Sequence, residues 1–153
     1  MSEADHSKHE QKGFFIGTSG WNFNHWNEHF NAGVKCKDRL RHYAGQYHSV
    51  EVSATFYRLQ NRQTFERWIT ETLKDIRFVI KGNQFLTHNK KLSDPSGSVT
   101  LEREWALGLG EKLAAVVSQL PAIFRKHIEG LCDFVDALEQ DATRHRVPPP
   151  LMI

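Results

Sequence analysis

Three side chains in the middle of the sequence have the types that acid–base catalysis requires: Glu51, Lys81 and His88. A carboxylate can act as a general acid or base, and an ammonium group can stabilise negative charge that develops during a reaction. An imidazole can carry a proton or bind a ligand at neutral pH. We therefore take these three side chains as the candidate catalytic residues.

Glu51 and Lys81 lie within short apolar runs that alternate in polarity. In Val50-Glu51-Val52-Ser53 the valines suit a face covered by helices, which directs Glu51 to the opposite face. The same alternation in Phe78-Val79-Ile80-Lys81 directs Lys81 to that face at the carboxyl end of its run. The alternative interpretation is an ion pair that only neutralises two buried charges.

The segment 81–91 contains three lysines, His88 and no acidic residue. Such a loop is suited to holding a phosphate or carboxylate group. A basic loop that is simply solvated is the alternative.

Further polar and aromatic residues follow the ends of the apolar runs. Aromatic rings in such positions can stack on a sugar or base, although they can equally cover a core. The candidate substrate-binding residues are Ser19, Trp21, His25, Trp26, Tyr57 and Gln119. A metal set of His25, Glu51 and His88 lacks the spacing of known motifs, so we predict no bound metal and no cofactor.

The elements that position these residues follow a repeated pattern in the sequence. An apolar run, a polar loop and a helical segment occur in this order four times. The pattern is typical of parallel βα units and predicts adjacent strands in the order 1-2-3-4. The predicted strands are 14–17, 49–54, 77–81 and 113–120, and the predicted helices are 37–47, a helix capped by Thr64, 101–109 and 125–140.

Helical spacing predicts which face of each later helix is buried. In the third helix Leu101, Trp105 and Leu109 share one side. In the fourth helix the predicted buried residues are Ile128, Leu131, Val135 and Leu138.

The composition is that of one globular domain. The chain has 153 residues and a mass of 17.7 kDa, of which 39% are apolar, enough for a sizeable core. A net charge of only +2 gives no electrostatic support for a nucleic-acid partner, and no apolar run is long enough for a membrane span. Cys36 and Cys132 lack metal or disulfide spacing, so we expect free thiols and a cytoplasmic location.

Three segments are predicted along the chain. Residues 1–12 are expected to be a disordered head, and residues 13–142 carry the four βα units. Residues 143–153 are a proline-rich tail whose three successive prolines, Pro148 to Pro150, are unsuited to a further central strand.

Five motifs in a fixed order resemble the YecE-like family, which is catalogued as a domain of unknown function. They are Ile16-Gly17-Thr18-Ser19-Gly20-Trp21, His25-Trp26, Val50-Glu51-Val52 with Thr55-Phe56-Tyr57, Lys81 with Thr87-His88, and Gln119-Leu120-Pro121. The resemblance implies a TIM barrel whose mouth, at the carboxyl ends of the strands, is lined by the matching residues.

The sequence departs from this family after the fourth unit. Family members continue through a second half with an Arg-His-Pro-Ser-Trp motif, whereas here Arg144-His145-Arg146 is followed by Val147 and prolines. The expected fold is therefore an α/β half barrel of the TIM type with four parallel strands.

Two functions remain open at this point. One is an enzyme, hydrolase-like in type, that acts on a phosphate-bearing, sugar or nucleic-acid-like substrate at the mouth. The other is a truncated or catalytically silent binding protein. A half barrel has two uncovered strand edges, so we also expect a homodimer through those edges. We expect no membrane partner, because no apolar run is long enough to span a bilayer.

Overall fold

Four parallel strands form the sheet at the centre of the fold. The computed structural model describes residues 14–145, and in it the strands lie in the order β1-β2-β3-β4. They are β1 Gly17–Thr18, β2 Ser49–Val52, β3 Arg77–Lys81 and β4 Leu113–Val117. All three pairings are parallel, which confirms the predicted α/β class, strand order and strand direction.

Helical segments connect the strands. The α-helices are α1 Arg39–Ala44, α2 Ala54–Tyr57, α3 Arg62–Glu71, α4 Ser96–Ala106 and α5 Ile128–His145. Short 3-10 helices span Asn24–Trp26, Cys36–Asp38 and Leu107–Lys112, and one π-helix spans Phe85–Asn89. The predicted head, 1–12, and residues 146–153 of the predicted tail lie outside the described residues.

One face of the sheet packs against the helices and the other does not. Val50 and Val52 of β2 and Phe78 and Ile80 of β3 are buried. They share one core cluster with side chains of α1 and α3, namely Leu40, Tyr43, Phe65 and Trp68. The intervening residues form what we call the open face: Ser49, Glu51, Arg77, Val79, Lys81 and Val117, which are partly exposed, and Ala115, which is buried. This alternation agrees with the predicted orientation of Glu51 and Lys81.

The first strand was predicted at 14–17 but begins only at Gly17. Phe14 is fully exposed and Ile16 is 72% exposed. Because β2 begins at Ser49, which pairs with Gly17, the residues before Gly17 have no partner strand beside them. The second and fourth strands are also shorter than predicted, and α2 begins at Ala54 where strand had been expected.

Two helix predictions need correction. The N-cap of α3 is Asn61, whose Oδ1 accepts a hydrogen bond of 2.8 Å from the backbone N–H of Thr64, so Thr64 lies inside the helix. The third predicted helix begins earlier, at Ser96. Leu101 is 53% exposed and does not share a buried face with Leu109.

The buried face of α5 also differs from the prediction. Ile128, Leu131 and Val135 are all exposed, whereas Phe134 and Ala137 are buried beside α4, with the predicted Leu138 partly buried against them. Asp141, also buried, forms an ion pair with Arg103 of α4 and accepts a hydrogen bond of 3.0 Å from the Thr100 hydroxyl. A buried ion pair requires its partners to face each other, and this pairing fixes the rotation of α5 against α4.

Candidate functional site

Glu51 and Lys81 lie on the open face of adjacent strands. Glu51 is in register with Val79, so Lys81 is two residues further along β3, at its carboxyl end. The two side chains form no ion pair within 4.0 Å. The interpretation in which they simply neutralise each other therefore does not apply in this structure.

The Phe56 ring contacts both Lys81 and His88. The Lys81 ammonium lies 4.9 Å from the centre of the Phe56 ring, within the range of a cation–π interaction. The His88 ring meets Phe56 edge to face, with ring centres 4.9 Å apart. The structure thus groups two of the three candidate catalytic residues around one aromatic ring beyond the end of β3.

Thr55 holds the backbone beneath this cluster. Its side chain is completely buried, and its hydroxyl lies 2.6 Å from the carbonyl oxygens of both Val52 and Lys81. One hydroxyl proton can be donated to only one of the two carbonyls at a time. The contact ties the start of α2 to the carboxyl end of β3 and so fixes where Lys81 leaves the sheet.

His88 lies within the π-helix, where Lys90 N–H donates to Phe85 carbonyl at 2.8 Å. The Thr87 hydroxyl lies 2.9 Å from His88 Nδ1 and limits the orientation of its ring. Immediately afterwards Lys91, Leu92 and Asp94 have positive φ angles of 50°, 65° and 44°. Short π-helices and strained backbone are both frequent at functional sites. Such conformations cost free energy and persist only where the surrounding structure holds them.

The predicted substrate-binding residues do not gather around this cluster. Trp21 packs edge to face on Trp68 at 5.6 Å, and Trp26 stacks on Tyr43 at 6.4 Å, both against the helix-side core. This position favours the packing role that the sequence also allowed. Ser19, His25 and Gln119 are exposed, and Gln119 lies two residues beyond the end of β4. Tyr57 is 71% exposed and meets Phe56 edge to face, so it alone of the six contacts the cluster.

Two residues that sequence reasoning missed are Asn83 and Glu102. Glu102 of α4 accepts a hydrogen bond of 2.6 Å from the backbone N–H of Asn83. Burial raises the pKa of the Glu102 carboxyl, and the hydrogen bond from Asn83 partly opposes that rise. Nothing within Leu101-Glu102-Arg103-Glu104 distinguishes Glu102 from an exposed helix residue, whereas Asn83, a polar residue close behind a strand, was a usable signal.

Within the part of the chain that the structure describes, no three His, Cys, Asp or Glu side chains lie close enough to hold a metal ion. His25, Glu51 and His88 are therefore not assembled as a metal site. Cys36 and Cys132 are free thiols at exposed positions. None of the helices between residues 14 and 145 is both long enough and apolar enough to span a bilayer.

Comparison with known proteins identifies related sequences. The profile described as Protein of unknown function DUF72 matches residues 15–147. The UPF0759 protein YunF of Bacillus subtilis (strain 168) is 27% identical over 84 residues, which are 55% of this chain and 29% of that protein.

Two crystal structures of DUF72 family proteins have a similar fold. The one from Thermotoga maritima MSB8 has a TM-score of 0.69 and 22% identity, and the match covers 83% of this chain and 51% of that chain. The one from Enterococcus faecalis V583 has a TM-score of 0.56 and 18% identity, covering 74% of this chain and 45% of that chain. The chain therefore spans about half the length of these solved relatives.

Proposed function

The chain belongs to the DUF72 family of proteins of unknown function, and from this premise we propose that it binds a phosphate-bearing ligand at the carboxyl ends of β2 and β3. The observation that carries the proposal is the environment of Lys81. Its ammonium projects from the open face at the end of a parallel strand, where α/β folds hold their ligands. No carboxylate of the described residues lies within 4.0 Å of it.

His88 and the lysines of the same loop extend this positive region. His88 and Lys81 both contact the Phe56 ring, and Lys91 is an exposed lysine three residues after His88. A phosphate group is recognised by ammonium and imidazole donors together, and an aromatic ring beside them can stack on a sugar or base. This combination favours a phosphate-bearing sugar or nucleotide-like molecule over an uncharged sugar.

We further propose an enzymatic role in which Glu51 acts as general acid or base. Glu51 lies on the same face as Lys81 but forms no ion pair with it, so its carboxylate is free to exchange a proton with a bound ligand. Lys81 would stabilise developing negative charge, and His88 would carry a proton or hold the ligand.

The sheet is proposed to be half of a TIM barrel. The parallel order of four strands and the helices on one face are what half of such a barrel requires. In residues 14–145 β1 and β4 each pair on one side only, so a second copy of the chain could complete the cylinder by pairing β4 of each copy with β1 of the other.

A binding protein without catalysis is the second candidate. The four described strands supply only one side of a mouth, and Glu51 is the sole carboxylate among the candidate catalytic residues. Acid–base hydrolysis of the usual kind uses two titratable groups with different roles, which Glu51 and His88 would have to share.

Thermal melting in the presence of inorganic phosphate and ribose 5-phosphate tests the binding proposal. We expect both ligands to raise the melting temperature of the wild type, because a ligand that binds only the folded state stabilises it. Lys81→Ala should abolish the shift and His88→Ala should reduce it. Glu51→Gln should keep the shift in melting temperature but remove any catalytic turnover of the bound ligand.

Lys74→Ala is the matched control, since Lys74 is an exposed lysine just before β3, at the opposite end from Lys81. It should leave the shift unchanged. Loss of the shift in Lys74→Ala to the same degree as in Lys81→Ala would indicate non-specific attraction of anions and would refute the site. Retention of turnover by Glu51→Gln would remove the assigned role of Glu51.

A further inference from the structure

A cavity lies beside the segment that carries His88. It has a volume of about 450 Å³, within the range of small-molecule sites, and lies between residues 83–90 and the first turns of α4. Its walls are largely apolar and comprise Leu59, Phe85, Leu86 and Leu101. None of the candidate catalytic residues Glu51, Lys81 and His88 lines it, so it is separate from the site proposed above.

Two charged side chains line this cavity, and their partners differ. Lys90 donates a hydrogen bond of 3.0 Å to the Asp94 carbonyl, and its ammonium lies 3.5 Å from the Asp94 carboxylate. Glu102 receives only the backbone N–H of Asn83, on Oε1, and forms no ion pair with a described residue. The positive charge is therefore compensated and the negative charge is not, which leaves the cavity with an uncompensated carboxylate.

The backbone around Glu102 is fitted closely to its carboxyl group. A Cβ atom at Gly82 would lie 2.8 Å from Glu102 Oε1, so a side chain at this position would displace the carboxyl group. The Asn83 side chain also accepts a hydrogen bond of 2.9 Å from Phe85 N–H, which holds the turn that presents Asn83 N–H to Glu102. Oε1 is thereby fixed, and Oε2 has no hydrogen-bond partner among the described residues.

From this arrangement we propose that the cavity binds an organic cation with an apolar body, such as an arylalkyl ammonium compound. The ammonium group donates to Glu102 Oε2, while the hydrocarbon body lies against Leu86 and Leu101. A partly buried carboxylate without a counter-ion gains from a cationic ligand, because the ligand supplies the missing charge and donor together.

Chemical-shift titration of the amide of Asn83 tests the proposal with three probes of similar size. These are 2-phenylethylammonium, the neutral 2-phenylethanol and the anion phenylacetate. We expect the cation to bind about tenfold more tightly than the neutral alcohol, as a hydrogen bond to a charged group gives. Phenylacetate should not bind.

Glu102→Gln should bring the affinity for the cation down to that for the alcohol, and circular dichroism establishes that this variant is folded. Glu104→Gln is the matched control, because Glu104 is an exposed carboxylate on the same helix and does not line the cavity. It should preserve the preference for the cation. Leu101→Ala should weaken both the cation and the alcohol by a similar factor, since it removes part of the apolar wall.

Equal affinity of the wild type for the cation and the alcohol would overturn the proposal. A preference for the cation that persists in Glu102→Gln would do so too. Binding of inorganic phosphate to the open face serves as an independent readout, and Glu102→Gln should not change it.

Discussion

Glu102 lies in an unusual environment for a glutamate. An exposed glutamate on a helix contributes little to stability, but Glu102 is held in a largely apolar cavity by one backbone N–H. Its partial burial could not be predicted from the sequence. The helical pattern of α4 suggested Leu101 as a core residue, whereas the structure exposes Leu101 and turns Glu102 toward Gly82 and Asn83. The decisive contact is between residues nearly twenty positions apart, which local periodicity does not report.

The raised pKa of Glu102 predicts how stability depends on pH. Since the folded state holds this proton more tightly than the unfolded state, the contribution of Glu102 is fully present below the unfolded pKa and is lost as pH rises through the folded pKa. Relative to Glu102→Gln, the wild type should therefore lose stability with rising pH in this window. The slope of the difference cannot exceed about 1.4 kcal/mol per pH unit, the limit for one proton.

Urea unfolding between about pH 4 and pH 8 measures this difference. Glu104→Gln, which removes an exposed carboxylate from the same helix, should run parallel to the wild type. A wild type that stays parallel to Glu102→Gln over the whole range would contradict the raised pKa.

Among the elements, α3 has an unusual partner at its C-terminal end. The Lys112 ammonium donates hydrogen bonds to the carbonyl of Ile69 at 2.8 Å and to the carbonyl and hydroxyl of Thr72 at 3.1 and 2.8 Å. A cation at this end complements the helix dipole and satisfies carbonyls that have no partner within the helix. Burial lowers the pKa of Lys112, Arg77 lowers it further and Asp75 opposes the change.

We expect Lys112→Met to lower the free energy of unfolding by about 2 kcal/mol, because the apolar side chain fills similar space but leaves the end of α3 without its donor. Urea unfolding at neutral pH measures the change. Lys74→Met, which alters an exposed lysine, should stay within about 0.5 kcal/mol of the wild type. Equal effects of the two substitutions would mean that Lys112 does not cap α3.

Elements differ in how well the sequence predicted them. The strand Arg77–Lys81 was predicted with its observed bounds, because its alternation ends at Lys81 directly before Gly82 and Asn83. The first strand was predicted to begin too early in the sequence. It can pair only where β2 lies beside it, and β2 begins at Ser49, which pairs with Gly17. For α5 the pattern predicted a buried face with Leu131, whereas the structure buries Phe134, and the ion pair between Arg103 and Asp141 is a long-range contact that the helical pattern does not contain.

At the scale of the whole molecule, the open face and the two outer strands leave apolar groups accessible. Val79 and Val117 are only partly buried on the open face, and β1 and β4 each pair on one side within residues 14–145. Apolar area removed from water stabilises an assembly by about 25 cal/mol per Å². We therefore predict a homodimer that depends on protein concentration.

Light scattering at micromolar concentrations measures the mass of the species in solution. Val79→Lys should shift the equilibrium to monomer, and Glu51, which is in register with Val79 on β2, can accept the new charge within one chain. Val135→Lys changes an exposed residue of α5 and should leave the dimer intact. A compact wild-type monomer, or dissociation by Val135→Lys instead, would disprove association through the open face.

The order of the strands has a consequence for how the protein is made. Each strand pairs with the one synthesised just before it, about thirty residues earlier, so no strand has to wait for a partner that the ribosome has yet to produce. The sheet can therefore grow one βα unit at a time as the nascent chain emerges, beginning when β2 has left the exit tunnel and can pair with β1. The open face stays accessible throughout this growth, which leaves the partly exposed Val79 and Val117 available for association with other nascent chains.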